Sequence, residues 1–221
     1  VAVHPDYRRR GIARGLTERA IEHARRRRTP SIWLHVRQEH AGAVSLYQGL
    51  NFIERARRTT WFSDPDFKPG ASLKGARFIS TRSRDWERQR VWLLRTYPPE
   101  LSWHMPFRLN ALRPGLLGGL IRLLYNIYAQ SWALSNKNLV LGAISWQVTS
   151  AKANSLWLAV PPNVDEKVVY ALLQHARRKA PSHRPLTLDF PAGQASEAIK
   201  AALTQGLMEQ GAQLRLRVGD H

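Results

Sequence analysis

The sequence predicts an α/β fold with a mixed, partly parallel sheet, and three observations carry that prediction. Short apolar runs of strand length alternate with amphipathic stretches of helical period. The order strand, helix, strand, helix, strand occurs over Val1 to Phe62 and again over Ser155 to Val218. The letters LYQGL at Leu46–Leu50 recur as LTQGL at Leu203–Leu207, in the same place within the second unit. Together these favour a tandem duplication.

Val1–Val3 is an apolar run that ends at His4-Pro5 and reads as a short strand. A polar turn follows from Asp6 to Gly11. Ile12, Leu16, Ala20, Ile21 and Ala24 then recur at three- and four-residue spacing and share one helical face, while Arg14, Arg19, Glu22 and Arg25 lie opposite. Thr29-Pro30 ends this helix, because the residue before a proline avoids the α region. Ile32 to Val36 reads as a strand, Ala41 to Leu50 as a helix, and Phe52 to Phe62 as a strand or hairpin. Ser63 to Lys74 collects Asp, Pro, Gly and Ser and reads as a linker.

Beyond it, Phe78–Thr81 suits a strand, and Arg84 to Arg95 a helix with Trp86, Val91 and Leu94 inward. Pro114 to Ala129 is helical in pattern, and Asn138 to Thr149 suggests paired strands. Ser155–Val160, Leu186–Phe190 and Gln213–Val218 read as strands, with helices at Asp165–Lys179 and Ala195–Met208 between them. The expected organisation is a first domain over 1–62, a linker over 63–75 and a second domain over 76–221.

The chain has 221 residues, enough to bury a core, and its hydrophobic fraction of 43% argues against disorder. It has no cysteine, which excludes disulfides, thiolate metal sites and cysteine nucleophiles. That composition fits a reducing compartment, and a cytoplasmic protein without a bound metal is expected. The formal net charge of +18 calls for an anionic partner, whether phosphate, nucleic acid or a membrane surface. The most apolar stretch, Leu116 to Leu134, contains Arg122, Asn126 and Gln130. It reads as an amphipathic buried helix, short of a membrane span, and no membrane partner is expected.

The strongest chemical signal is V-x-V-H-P-x-Y-R-R-R-G-I-A at Val1–Ala13. It sets a strand, a tight turn and a helix in succession, with Arg8, Gly11 and Ala13 at R-x-x-G-x-A spacing. Free N–H groups and the helix dipole make a helix start an anion site. Gly11 and Ala13 are small enough for a phosphate to approach the backbone, and Arg8, Arg9, Arg10 and Arg14 add ionic donors.

This turn resembles the one that cradles the coenzyme A pyrophosphate in the acyl-CoA N-acyltransferase (GNAT) superfamily. A second segment resembles a later motif of that family. In it a strand (Leu34-His35-Val36) is followed by Ala43, Leu46-Tyr47 and Phe52. His40 stands where the family usually has Asn, and Asn51 where it usually has Gly.

The resemblance covers Val1 to about Phe62 and implies the acyl-CoA N-acyltransferase fold, with acetyl-CoA as cosubstrate and an amine as acceptor. It places coenzyme contacts at Val1, Val3, Arg8, Arg9, Arg10, Gly11, Ile12, Ala13 and Arg14, and at His40, Ala43 and Tyr47. Tyr47 is implied as the acid that protonates the departing thiolate. An oxyanion donor is implied on the strand feeding the turn. No general base can be assigned, although His4 and Glu39 are available. The family's sheet normally takes several strands before this point, so an upstream segment is expected.

The second unit lacks Arg and Gly at the required spacing after Val160. It carries Asp165-Glu166 at its helix start and Thr204 in the place of Tyr47. It is expected to be a degenerate acyltransferase-like domain. Two other functions remain open: a basic nucleic-acid-binding module, which the charge favours without any recognition motif, and a non-catalytic coenzyme A sensor or scaffold.

Overall fold

A computed structural model describes residues 1–63, 73, 75–99, 105, 107–148, 154–180, 185–191 and 197–218, with 198, 204–215 and 218 described by backbone alone. Residues 64–72 and 74, most of the expected linker, lie outside the described residues. The chain divides into two compact units, Val1–Arg58 with Gly211–His221, and Thr59–Gln210.

The first unit contains α1 (Ile12–Arg26), β1 (Ile32–Arg37), α2 (Ala41–Gln48), most of β2 (Phe52–Ser63) and the end of β8 (Leu207–Val218). Its strand order is β1-β8-β2. β1 and β8 run antiparallel, in register from Ile32↔Val218 to Arg37↔Gln213. Ile21, Val36, Phe52 and Leu216 form its buried core, with Ala43, Val44, Tyr47 and Leu50 packed against them. On this side of the chain the Arg217 guanidinium lies over the Trp33 ring at 5.7 Å.

Two expectations are corrected here. Val1–Val3 is not a strand; Val1 is exposed and the segment runs directly into a 3-10 turn at Pro5–Tyr7. The inward face of α1 is carried by Thr17 and Ile21, with Ala13 and Ala24 half-buried, whereas Ile12, Leu16 and Ala20 face solvent. Both stripes have helical period, and packing selected the smaller one. α1 ends as Arg28 takes a left-handed conformation (φ 53°) and Thr29 N–H reaches back to the Ala24 carbonyl at 3.1 Å.

The second unit holds β3 (Ala76–Ser80), α3 (Trp86–Thr96), α4 (Leu116–Leu124), β4 (Ala129–Asn136) and β5 (Leu139–Val148). After these come β6 (Asn154–Ala159), α5 (Glu166–Lys179), β7 (Leu186–Pro191) and α6 (Glu197–Gly206). Its strand order is β7-β6-β5-β4-β3, antiparallel from β3 to β6. β6 and β7 are parallel, and their ladder stops at Leu156↔Leu188, well before either strand ends.

The hairpin between β4 and β5 turns on Lys137 and Asn138, both at positive φ (44° and 71°), the two-residue geometry that matches strand twist. The stretch expected to give paired strands is thus one long strand, β5, whose partner β4 begins inside the stretch expected to be helical. That helix stops early because Asn126 adopts φ 49° and Ile127 N–H caps the Arg122 carbonyl at 2.8 Å. In α3 the buried residues are Trp86, Gln89, Leu93 and Thr96, while Val91 faces outward.

The core of this unit lies between α5, α6 and the sheet. Leu172 and Val169 of α5 are fully buried against Leu158, Leu188 and Ile144. His175, on the same helix, stacks on Phe78 with ring centroids 3.8 Å apart and meets the edge of Trp132 at 5.2 Å. Its Nε2 is buried without a hydrogen-bond partner. Burial, then the charges of Lys179 and Arg178, push its pKa below the ordinary 6.5.

The native state therefore binds the His175 proton less readily than the unfolded chain, so stability rises with pH across this range. Unfolding titrations should show stability falling as pH drops through 6.5, with a shallower fall in His175→Phe. Leu172→Ala should cost about 2–5 kcal/mol in chemical denaturation, as for other fully buried leucines.

Candidate functional site

The turn preceding α1 is built from two left-handed residues. Arg9 has φ 64°, and Gly11, the N-cap of α1, has φ 76° and ψ −5°. An added Cβ at Gly11 would meet nothing within 4 Å, so conformation and not crowding favours glycine here. α1 has no side-chain cap and no acidic residue in its first turn. Its first intrahelical bond runs from Gly15 N–H to the Gly11 carbonyl at 3.0 Å. The N–H groups of Ile12, Ala13 and Arg14 therefore precede the helical ladder and have no carbonyl within the helix to bond.

Around these amides the arginines are exposed and oriented by light contacts. Arg8 Nε donates to the Val3 carbonyl at 3.3 Å, which ties the turn to the segment before it. The Arg10 guanidinium lies over the Tyr7 ring at 5.3 Å. Arg14 pairs with Glu18 at 2.9 Å along the helix, and His4 lies 3.4 Å from Asp6. Exposed pairs of this kind contribute little to stability, so the arginines remain available to an anionic ligand.

The second set of expected residues lies on α2. His40 is the helix's N-cap residue, contributing its backbone carbonyl to the N–H groups of Ala43 and Val44 at 2.9 and 3.0 Å, with no side-chain cap. Ala43 and Tyr47 pack against the unit's core, and Tyr47 meets Phe52 edge-on at 5.7 Å. That core takes Ile21 from α1 and Phe52 from β2, and Ala43 and Tyr47 of α2 pack against it. Val1, Val3 and the turn form one local set, while His40, Ala43 and Tyr47 form the other.

The first unit contains an uncapped helix start with four exposed arginines near it in sequence, and a second helix carrying a tyrosine. Residues 1–52 match the acetyltransferase (GNAT) family. Over 73 residues the chain is 37% identical to the [Ribosomal protein bS18]-alanine N-acetyltransferase of Escherichia coli (strain K12), covering 33% of this chain and 49% of that protein. The corresponding Salmonella typhimurium protein is 39% identical over 62 residues, which are 28% of this chain and 42% of that protein. The match thus spans about half the length of these relatives.

Solved structures extend the likeness across the chain. A GCN5-related N-acetyltransferase from Sphaerobacter thermophilus aligns with a TM-score of 0.59 at 13% identity, covering 97% of this chain and 70% of that one. A tandem GNAT protein from the clavulanic acid biosynthesis pathway aligns with a TM-score of 0.55 at 17% identity, covering 98% and 72%. The fold is that of the GNAT acyl-CoA N-acyltransferases, as the sequence predicted.

Two features of the second unit bear on its helix start, one readable from the sequence and one not. The helix start that corresponds in element order to α1 is that of α5, where Asp165 accepts from Lys167 N–H at 2.8 Å and so caps its own helix. On the strand feeding that turn, Leu158 N–H donates to the hydroxyl of Tyr97 at 3.2 Å. Tyr97 is fully buried and packs on Phe107 and Trp157 at 5.1 and 5.2 Å. The Asx-type cap was readable at Asp165, but the Tyr97 contact joins residues too far apart for any local pattern to reveal. Among the described residues no group of three or more His, Asp or Glu could hold a metal ion.

Since φ 76° is strained for side chains with a branched Cβ, Gly11→Val should destabilise by roughly 1–2 kcal/mol and Gly11→Asn by less. Thermal unfolding of the two variants checks the order.

Proposed function

We propose that the chain belongs to an N-acetyltransferase and that its first unit binds acetyl-CoA, for transfer of the acetyl group to a primary amine. The carrying observation is the uncapped start of α1 at Gly11, ringed by Arg8, Arg9, Arg10 and Arg14. Three N–H groups without helical acceptors, at the positive end of a helix dipole, meet the needs of a diphosphate. Val1 and Val3 lead into this turn, and His40 and Ala43 border the coenzyme from α2.

Transfer requires a neutral amine to attack the thioester carbonyl and the sulfur to leave as a thiol. Tyr47 gives its phenolic proton to that sulfur, and the core that packs its ring fixes the hydroxyl's position. The acetyl group becomes an amide and the amine loses a proton, for which no base is assigned.

The matched relatives act on the alanine of a ribosomal protein. The likeness lies in the segment that carries the coenzyme turn, so it supports the donor and leaves the acceptor open beyond its being an amine.

By element order we read residues 76–221 as a degenerate acyltransferase-like domain, following a first domain over 1–62 and a linker over 63–75, with the end of β8 belonging to the first compact unit. Its element order over β6, α5, β7, α6 and β8 supports the duplication. The Asp165 carboxylate occupies the helix start and would repel a diphosphate. Tyr97 holds the Leu158 N–H that a working copy would offer to an oxyanion.

Calorimetric titration of acetyl-CoA into the chain and into Gly11→Glu tests the site. One saturable site, lost in the variant, is expected. Equal binding by both proteins overturns the assignment, as does salt-sensitive binding of random DNA without coenzyme binding. With an amine substrate in hand, Tyr47→Phe should lower kcat about 10²-fold while leaving coenzyme affinity unchanged.

A further inference from the structure

α4 was expected to be buried, yet its leucines face water. Leu116 is 93% exposed, Leu123 79% and Leu124 70%, and Leu117 and Leu120 are exposed with them. At 3.6 residues per turn these five side chains fall within an arc of about 120°. The opposite side of the helix is seated firmly. Gly118 is buried so closely that a Cβ there would come within 1.8 Å of the Arg113 carbonyl oxygen. Arg122, the one cation on α4, turns back to donate to the Ala111 and Arg113 carbonyls at 2.8 and 3.2 Å. With Gly118 and Arg122 fixed inward, the leucines have no route into the core.

The rim of this face is cationic and aromatic. Arg113 is exposed beside the helix start, and Arg108 lies over the exposed Tyr125 ring at 4.8 Å. Tyr128, past the end of the helix and just before β4, is exposed as well. From Leu101 to Val164 the sequence contains no Asp or Glu. An apolar ridge therefore stands in a neighbourhood without a single carboxylate of its own segment.

We infer that α4 is a docking face for an anionic lipid bilayer, which it enters from the side without spanning it. Five exposed leucines on one helix face mark an interaction surface, and charge decides the partner. A second copy of a chain with formal net charge +18 would bring like charge against like. Anionic headgroups attract Arg108 and Arg113, while the acyl region accepts a convex leucine ridge without needing a matching groove. Tyr125 and Tyr128 suit the headgroup level, where a ring is half apolar and half wet. Apolar insertion and cationic attraction together supply the two signals that stable attachment takes. No residue of the Arg8–Arg14 turn takes part, so the inference stands apart from the acyltransferase reading.

Flotation of the full chain with vesicles tests it, using phosphatidylcholine alone and phosphatidylcholine mixed with phosphatidylglycerol. The chain should float with the mixed vesicles and not with phosphatidylcholine. Leu116→Ser/Leu123→Ser should weaken binding at least tenfold, the effect of withdrawing two leucines from an apolar phase. Both side chains are exposed, so its melting temperature should match the parent's. If it does not, hydrogen exchange of the parent decides, with slowed exchange over 116–128 expected on adding mixed vesicles. Absence of flotation overturns the inference. So does flotation that the leucine variant retains, which is charge alone. A dimer that the variant dissolves, without flotation of the parent, assigns the face to a second copy instead.

Discussion

The pairing of β1 with β8 is the constraint on which the first unit rests. Residues 32–37 lie beside residues 213–218, so the sheet that supports α1 and α2 takes one of its strands from nearly the far end of the sequence. Leu216 sits at the centre of that unit's core with no exposure at all. Such a contact is costly to close and is expected to form late in folding. The turn before α1 and the end of β8, in the same unit, are widely separated in sequence.

The two helix starts differ in what their amides bond. α1 and α5 occupy the same place in the repeated element order, and each follows a turn. One begins at a left-handed glycine with its amides free of any side chain, and the other at an aspartate that bonds its own helix. Asp165 and Glu166 place negative charge at one start, and Arg8, Arg9, Arg10 and Arg14 place positive charge at the other. The aromatic cluster of Tyr97, Phe107 and Trp157 completes the contrast by turning a strand N–H inward.

The parts of this arrangement legible in the sequence were those with local causes. Gly11 at R-x-x-G-x-A spacing marked both the turn and the residue before α1, since few other residues accept φ 76°. Thr29-Pro30 marked the end of the same helix. Parts governed by distant packing were not legible. Ile12-Leu16-Ala20 and Ala13-Thr17-Ile21-Ala24 both repeat at helical spacing, and only the position of the sheet decides which turns inward. α4 misled for a related reason: a leucine-rich period normally signals burial, and nothing local states that Gly118 has already taken the inward position. The β1–β8 register could not be found from local pattern, because strand partners are chosen by tertiary fit.

The bare start of α1 has a thermodynamic corollary. A side-chain cap is worth about 0.5–2 kcal/mol to a helix, and α5 takes that gain through Asp165 whereas α1 forgoes it. α5 gains order at its start from that cap, while the start of α1 keeps amides that a bound anion would complete. On the proposed reading, an anion bound at Gly11 would act as the missing cap and recover that free energy. Occupancy and order at that end of α1 are then a single equilibrium seen from two sides.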